Sequence, residues 1–399
     1  MTSVSDLRAL VEGSGDAMAR RSGPGEGPLA DVRIVVKDVI DVAGTVTGAG
    51  NPDWAGAHDP ADADAAAVSA LSSAGATPVG KGQCAEFAYS LSGDNAHYGM
   101  PTNPAAPDRD PGGSTSGPAS ATAGDLCDLG IGTDTLGSIR IPASYCGLYG
   151  YRPTHGAIPT TGVLPLAQRF DTVGLLSRDP ALLRGAAEVL IGDGARGDPP
   201  RRLAIADDAL AAADPQVGEA VREAATRLAQ RLGADVDVTE ALPGDGPDLA
   251  RAMDAFSVLQ GAEVWRNFGS WIDSARPSMG ADVALRMEGA SQVTAADVAR
   301  AEPVAAAVAA GVRGLGLDQV LAIPATGTAA PPREADADTR QAARVAAGRL
   351  SCLASLAGAP AVSLPLARVG DLPVGVSLVG PPGSDLVLLA AAVAVWDER

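Results

Sequence analysis

Residues 111–144 read PGGSTSGPASATAGDLCDLGIGTDTLGSIRIPAS, with two Gly/Ser clusters at 112–117 and 134–138. Such clusters are usually linkers, but a Gly-rich loop can also bind phosphate, or surround a serine nucleophile with backbone N–H groups that stabilise an oxyanion. The Ile-Arg-Ile-Pro-Ala run after Ser138 is not linker composition. The stretch holds no GxxxxGK[ST] motif, no GxGxxG after a clear strand, and no GxSxG around Ser138. These observations argue against a linker and against the common phosphate-binding loops, and the α/β-hydrolase fold is not indicated either. A serine nucleophile is the third interpretation.

Apolar pieces between and after the clusters predict ordered elements. Pro118 suits the first turn of a helix, because its missing N–H would have no partner there. We predict that this short helix continues over Ala119–Ala123 and ends at Gly124, and that Leu129–Thr133 form a strand. Residues 139–144 then lead onward into the core.

The stretch resembles the amidase signature family, which carries a GGSS-type cluster followed by GTDTGGSIRxPAS. The family's catalytic groups are a lysine, a serine preceded by a cis peptide bond, and a nucleophilic serine. The resemblance assigns the second role to Ser114 and the third to Ser138, 24 residues later, which is the family spacing. The family's lysine lies in an apolar strand that resembles DVRIVVKDVIDVAG at 31–44, so Lys37 matches it.

The resemblance implies a mechanism for these three residues. A neutral Lys37 accepts a proton relayed through Ser114 from Ser138, which attacks the amide carbonyl and forms an acyl-enzyme that water hydrolyses. Lowering a lysine pKa from about 10.4 to about 7 requires roughly 4.6 kcal/mol, which burial or a nearby positive charge can supply. The oxyanion would be held by the backbone N–H groups of Thr135, Leu136, Gly137 and Ser138.

Lysine usage supports a special role for Lys37. Among 30 Lys and Arg residues, only Lys37 and Lys81 are lysines. Arginine stays charged and cannot serve as a base, whereas a desolvated lysine can. A lysine at the end of the apolar IVV run is therefore better explained by chemistry than by chance or by a surface position. Lys81, in VGKGQCAEFA, fits a structural or pocket-side role better.

The three histidines are the competing candidates for the base. His58 lies in a polar loop and His155 in a turn, so both are predicted at the surface, whereas His97 lies in a segment expected to cover the site. No spacing supports a Ser-His-Asp triad, and no HExxH motif or carboxylate–histidine cluster indicates a metal. We predict neither a metal nor a cofactor.

Two departures from the family pattern affect the site. Leu136 stands where the family usually has Gly, so its Cβ disfavours a positive φ and its side chain is expected to narrow the pocket. Thr115 and Ser116 replace the commoner Ser-Gly after Ser114. We expect the triad to survive with an altered substrate range.

Alternation of helices and strands along the chain predicts an α/β fold. Predicted helices cover 2–12, 62–74, 215–232, 248–275 and 339–357, with a last helix capped by Ser384. Predicted strands cover 34–36 together with Val32, 77–80, 203–206, 234–238, 319–323, 361–364 and 374–378. With the resemblance, the expected architecture is the amidase-signature fold, a large mixed twisted β-sheet covered by helices on both faces. We expect one domain over 1–399, with the signature region and triad in 28–180 and the remaining sheet, helices and pocket in 181–399.

Further segments carry the resemblance to the short amidases of the indole-3-acetamide hydrolase type. They are TGAGNPDW at 47–54, CAEFAYSLSGDNAHYGMPTNP at 84–104, PASYCGLYGYRPTHGAIPTTGV at 142–163 and LPVGVSLVGPPGSD at 372–385. Residues 83–104 are expected to form loops over the site. The candidate pocket residues are Tyr89, His97, Met100 and Trp265.

Composition limits the partners. A net charge of −18 disfavours nucleic acid and anionic membranes, and 46% hydrophobic residues allow a sizeable core. The four cysteines fit no zinc or disulfide pattern, and no signal peptide is recognisable, so we expect free thiols and a cytoplasmic location. A small-molecule amide is the expected partner, and a homodimer is the expected form if the chain self-associates.

The predicted function is hydrolysis of the C–N bond of a small carboxamide, with an arylacetamide such as indole-3-acetamide as a candidate substrate. Three alternatives stay open. The acyl group could pass to an amine, in a biosynthetic acyltransferase or cyclising enzyme. The chain could be the amidase component of a complex, supplying ammonia to a tRNA-linked partner, although it lacks an obvious docking extension. It could also be a homologue that Leu136 has impaired.

Overall fold

Ten strands form one mixed β-sheet in the computed structural model, which describes residues 7–19, 25–192, 197–242 and 247–396. The strands are β1 Arg33–Lys37, β2 Thr77–Gly82, β3 Leu129–Thr133, β4 Tyr149–Arg152, β5 Val173–Ser177, β6 Arg202–Ala206, β7 Asp235–Thr239, β8 Gln319–Pro324, β9 Ala361–Val369 and β10 Leu372–Val379. Their order is β2-β1-β3-β5-β4-β9-β10-β8-β6-β7. The two ends, β2-β1-β3 and β8-β6-β7, are parallel, and the strands between them pair antiparallel.

Helices cover both faces of this sheet. They are α1 Ser14–Ala19, α2 Pro52–Gly56, α3 Ala66–Ser73, α4 Ser116–Ala123, α5 Arg140–Cys146, α6 Pro180–Ile191, α7 Asp207–Ala211, α8 Pro215–Leu232, α9 Leu249–Ala275, α10 Ala281–Ser291, α11 Ala295–Arg313, α12 Ala337–Ala357 and α13 Asp385–Ala394, with a 3₁₀ turn at Glu86–Ala88. Side chains of a strand alternate between faces, and those of β1 pack in two separate cores: Ile34 and Val36 in one, Val35 in the other. The predicted α/β architecture is therefore confirmed.

Most predicted elements are present, with shifted ends. The 215–232 helix coincides with α8, which starts at Pro215 and ends before Gly233 in the left-handed conformation. The predicted helix at 119–123 is the end of α4, whose first turn contains Pro118. The helix predicted from residue 62 begins only at Ala66, after a loop in which Asp64 accepts a hydrogen bond from the Ala43 N–H.

The helix predicted over 2–12 is wrong beyond Leu7, which is helical. Residues 2–6 lie outside the described part of the chain, and the backbone from Arg8 to Gly13 is not helical. Arg8 has a φ of 49°, and Leu10 forms an isolated antiparallel bridge with Gly82 of β2. Pairing with the sheet edge thus replaced the helix that the apolar spacing indicated.

The cap predicted for the last helix also differs. Ser384 occupies the N-cap position of α13, but its hydroxyl donates to the Pro381 carbonyl instead of accepting from the helix. No described helix has the length and apolar character needed to cross a membrane. The four cysteines are buried and unbridged, as predicted.

Candidate active site

The parallel pairing of β1 with β3 brings their carboxyl ends together, and the site is built there. Lys37, the last residue of β1, is fully buried. Its Nζ donates hydrogen bonds to Ser114 Oγ at 2.7 Å and to Thr133 Oγ1, at the end of β3, at 2.8 Å. Burial lowers the pKa of Lys37 to about 8, so deprotonation occurs near neutral pH.

Ser114 lies in the loop before α4, and the Gly113–Ser114 peptide bond is cis, as the resemblance implied. The next residue, Thr115, connects this loop to the segment that holds Ser138 and to the end of strand β3. Its N–H donates to the Ser138 carbonyl at 3.3 Å, and its hydroxyl donates to the Thr133 carbonyl at 3.3 Å. Gly132 of β3 permits this approach, because a Cβ there would lie 2.2 Å from Thr115 Cγ2. The unusual Thr115 therefore packs directly on the strand that ends beside Lys37.

The loop between β3 and α5 contains a run of backbone N–H groups without acceptors among the described residues. The N–H groups of Thr135, Leu136, Gly137 and Ser138 donate to no acceptor in the described ranges. Most buried backbone N–H groups are hydrogen-bonded, so a run of free donors beside a serine indicates a site for a negatively charged oxygen. Gly137 has a φ of +153°, and a Cβ there would lie 2.7 Å from Ser351 Oγ, so the loop requires glycine at this position.

Buried charges hold this loop in place. The Asp134 carboxylate accepts from Arg140 at 2.9 and 3.0 Å and from Arg152 Nη1 at 3.0 Å, and all three side chains are buried. Burial alone would raise the pKa of Asp134, but the two guanidinium groups hold it well below its usual range. The buried Asp171 carboxylate accepts from the Thr135 hydroxyl at 2.7 Å. Both flanks of the donor run are thus fixed by ionic and polar contacts.

Ser138 opens onto a narrow cavity of about 10 Å³, close to the volume one water molecule needs. The cavity lies between the 88–91 segment, the donor loop, α9 and α12, and its lining includes Tyr89, Leu136, Leu166, Gln260 and Arg344. Ser138 Oγ donates to no residue that the structure describes.

The four pocket candidates lie in different places. Tyr89 lines the cavity beside Ser138, immediately after Phe87 and Ala88, which both have left-handed φ values. His97 Nε2 lies 2.9 Å from Glu86 Oε1, in a polar cluster with Asn51.

The other two candidates make contacts of a different kind. Met100 is buried, and its carbonyl accepts a hydrogen bond from Arg333. Trp265 is partly buried on α9, where a Cβ on Gly269 would lie 2.7 Å from its ring. The structure thus brings only Tyr89 among the four to the lining of the Ser138 cavity.

Leu136 does not adopt the positive φ that its Cβ would disfavour, since it is absent from the left-handed residues of the described chain. Its side chain is 3% exposed and packs toward α12, where a Cβ on Gly348 would lie 3.6 Å from Leu136 Cδ2 and 2.8 Å from Met253 Cε. A Cβ on Gly348 would therefore clash with Met253, whereas its distance from Leu136 would be an ordinary van der Waals contact.

The remaining histidines lie at the surface, as predicted. His58 is exposed and stacks on Trp54 with ring centroids 4.0 Å apart. His155 is exposed, and its Nε2 lies 2.8 Å from the Gln168 carbonyl.

Several residues of the site were not singled out from the sequence. Thr133, Asp134 and Arg140 lie within the quoted 111–144 stretch, where a polar residue following a buried strand is a usable signal. Gln260 and Arg344 come from helices far along the chain, and no motif marks them.

Comparison with known proteins identifies the family. A sequence model described as Amidase matches residues 14–389, and the chain belongs to the amidase family. It is 38% identical over 389 residues to "Amidase 1" of Arabidopsis thaliana, covering 91% of this chain and 92% of that protein. It is 35% identical over 389 residues to "Amidase 1" of Oryza sativa subsp. japonica, covering 91% of this chain and 89% of that protein.

Solved structures agree with this assignment. The chain matches a structure described as "Crystal structure of amidase" with a TM-score of 0.82 and 28% identity, covering 98% of this chain and 92% of that one. The fold is therefore that of the amidase-signature enzymes, and the chain is an amide hydrolase of this family.

Proposed function

We propose that this amidase hydrolyses a small carboxamide through an acyl-enzyme on Ser138, with Ser114 as the proton relay and Lys37 as the base. The observation that carries the proposal is the buried Lys37–Ser114 hydrogen bond of 2.7 Å, formed by a lysine whose pKa burial lowers to about 8. A base must lose its proton near working pH, and an ordinary exposed lysine does not.

The proton follows one path in both directions. Ser138 Oγ attacks the amide carbonyl carbon while its proton passes to Ser114 Oγ, and the Ser114 proton passes to the neutral Lys37 Nζ. When the tetrahedral intermediate collapses, the C–N bond breaks and the proton returns through Ser114 to the leaving amine. Water then attacks the Ser138 ester with the same relay. Because Ser138 Oγ donates to no described residue, we expect its bond to Ser114 to form in the substrate complex.

Stabilisation of the intermediate is the role we assign to the donor loop. The N–H groups from Thr135 to Ser138, which donate to no described residue, would bind the oxyanion, and the Asp134 ion pairs would keep the loop from rearranging during the reaction. Leu136 fits the loop without a left-handed φ, which supports an active enzyme over an impaired one.

A panel of small primary amides, including an arylacetamide, tests this function. Release of ammonia and acid should depend on Ser138, falling by about 10³-fold or more in Ser138→Ala. Ser116→Ala is the matched control, since Ser116 lies in the same buried cluster and its hydroxyl has no partner among the described residues.

A second arm separates water from an amine as the acyl acceptor. If added amine diverts most of the product to a new amide, the acceptor is an amine and hydrolysis is a side reaction. Equal activity in wild type and Ser138→Ala would contradict the proposal altogether.

A further inference from the structure

Two partly buried arginine side chains on either side of the Tyr89 segment have polar atoms without a partner among the described residues. Arg344 lies on α12 and Arg286 on α10. Arg344 Nε and Arg286 Nη2 are shielded from solvent and make no hydrogen bond to any residue in the described ranges. Buried polar atoms are normally hydrogen-bonded, so two shielded and unbonded nitrogens in one region require an explanation.

Within the ranges that the structure covers, no buried carboxylate forms an ion pair with either arginine, although the charge of the buried Glu86 acts on Arg286 at longer range. Arg344 forms no ion pair in the described part of the chain. The acidic group nearest to Arg286 there is Asp282, 3.8 Å from Nη1 and 64% exposed. Burial, together with the charge of Arg344, lowers the pKa of Arg286 to about 10, so the two guanidinium groups lie close enough to repel each other. Of the two arginines, Arg344 is therefore the one without an ion-pair partner among the described residues.

The two arginines differ in what they face. Arg286 Nε donates to the Tyr89 carbonyl at 2.7 Å, and its guanidinium lies 5.8 Å from the Tyr89 ring centroid, so it holds the 88–91 segment. Arg344 lines the narrow cavity onto which Ser138, Leu136 and Gln260 also open. Arg344 is therefore the cation that a bound molecule would meet.

We propose that Arg344 binds a carboxylate on the acyl part of the substrate, so that the preferred substrates are monoamides of short dicarboxylic acids. The proposal rests on the proposed amidase function. A guanidinium pairs with a carboxylate through two parallel hydrogen bonds. Arg344 and Ser138 line the same small cavity, so a short acyl chain would connect the bound carboxylate to the amide carbon that Ser138 attacks. When a primary amide is cleaved, only ammonia leaves, so the group that is recognised must be on the acyl side.

Matched substrate pairs test the inference. Succinamate and glutaramate carry a carboxylate, whereas succinamide and glutaramide are neutral amides of nearly the same size. For wild type we expect kcat/KM for the anionic member to exceed that for the neutral member by about 10-fold or more. Arg344→Gln should lower this ratio by a similar factor, mainly through KM, and Arg344→Lys should retain part of it.

Arg340→Gln is the control, because Arg340 lies one turn earlier on α12 and forms an ion pair with Asp94 at 3.4 Å. This variant should keep the wild-type ratio. A wild-type ratio near one for both pairs, or an equal loss in the Arg340 and Arg344 variants, would overturn the inference.

Binding provides a readout that does not depend on turnover. Titration calorimetry of succinate and glutarate with Ser138→Ala should show binding that is lost in Ser138→Ala/Arg344→Gln. If wild type hydrolyses neither these four amides nor any member of the wider amide panel, but a dicarboxylate binds through Arg344, the carboxylate site stands and the proposed function fails. If wild type hydrolyses other amides of the panel but none of these four, the inference fails and the proposed function stands. If neither dicarboxylate binds, the inference fails whatever the amidase activity is.

Discussion

Lys37 Nζ lies 2.7 Å from Ser114 Oγ, and this bond joins the end of β1 to a loop 77 residues later. The contact exists because β1 and β3 run parallel and end together, while α4 carries the Ser114 loop across their ends. Since Lys37 is fully buried, its ammonium form has little solvation, and the neutral amine is favoured more than in water.

The rate should therefore rise with pH. The neutral form of Lys37 is the base, and its pKa is about 8, so kcat/KM should increase with unit slope below pH 8 and level off above it. Lys37→Arg should be inactive across the range, because arginine keeps its proton. A flat wild-type profile between about pH 6 and 10 would contradict the role of Lys37 as base.

The stability of the fold should also depend on the lowered pKa of Lys37, and it should increase with pH. The pKa of Lys37 is about 8 in the folded chain and 10.5 in the reference state, so between these values the unfolded chain binds more protons. The contribution of Lys37 to the free energy of unfolding therefore increases as pH rises through this window, by about 3 kcal/mol at most.

Lys37→Met removes this pH dependence and should raise the free energy of unfolding most below pH 8. The gain is reduced by the cost of leaving the hydroxyls of Ser114 and Thr133 without their partner. Urea unfolding of both proteins at several pH values measures the difference. Parallel pH dependences for wild type and Lys37→Met would contradict the lowered pKa.

Asp134→Asn should be strongly destabilising. It would leave Arg140 and Arg152 as buried guanidinium groups without a carboxylate, a change that typically costs about 3–5 kcal/mol. The control is Asp125→Asn, whose exposed carboxylate pairs with Arg33 and Arg178 at the surface, and which should change the unfolding free energy far less. Equal losses in the two variants would show that burial of the Asp134 pairs is not what stabilises the loop.

Leu136→Gly should widen the substrate range. The side chain lines the Ser138 cavity and packs toward Gly348, so its removal leaves space beside the nucleophile. We expect bulkier acyl groups to gain in kcat/KM relative to small ones, with a stability loss of about 2–5 kcal/mol from the cavity. An unchanged substrate profile in a folded variant would contradict the assignment of Leu136 as a pocket wall.

Local sequence was sufficient for part of the fold. Strand β3 and helix α8 were predicted to within a residue or two because buried strands and capped amphipathic helices leave clear patterns. Helix α5 was not predicted, because RIPASYC is short, contains Pro142 and is buried on all sides, so it has no amphipathic pattern. Strands β4 and β5 were missed because their pairing with each other and with β3 and β9 is long-range.

The residues of the site also divide into those that a local motif marks and those that only the folded chain brings to the site. Lys37, Ser114 and Ser138 were found because they lie in contiguous motifs, and the structure joins the first two directly. Arg344 was not found, because it is one of 28 arginines and nothing near it in sequence distinguishes it. Its significance is the lack of a partner for Nε among the described residues, a property of the folded chain alone.

Intact-protein mass spectrometry after treatment with a fluorophosphonate tests the central claim most directly, because the reagent labels only an activated serine. We predict one adduct on wild type, mapped to Ser138, and none on Ser138→Ala or Lys37→Ala, while Ser116→Ala is labelled like wild type. Labelling that persists in folded Ser138→Ala or Lys37→Ala, or no labelling of the folded wild type, would contradict the proposed Ser138–Ser114–Lys37 relay.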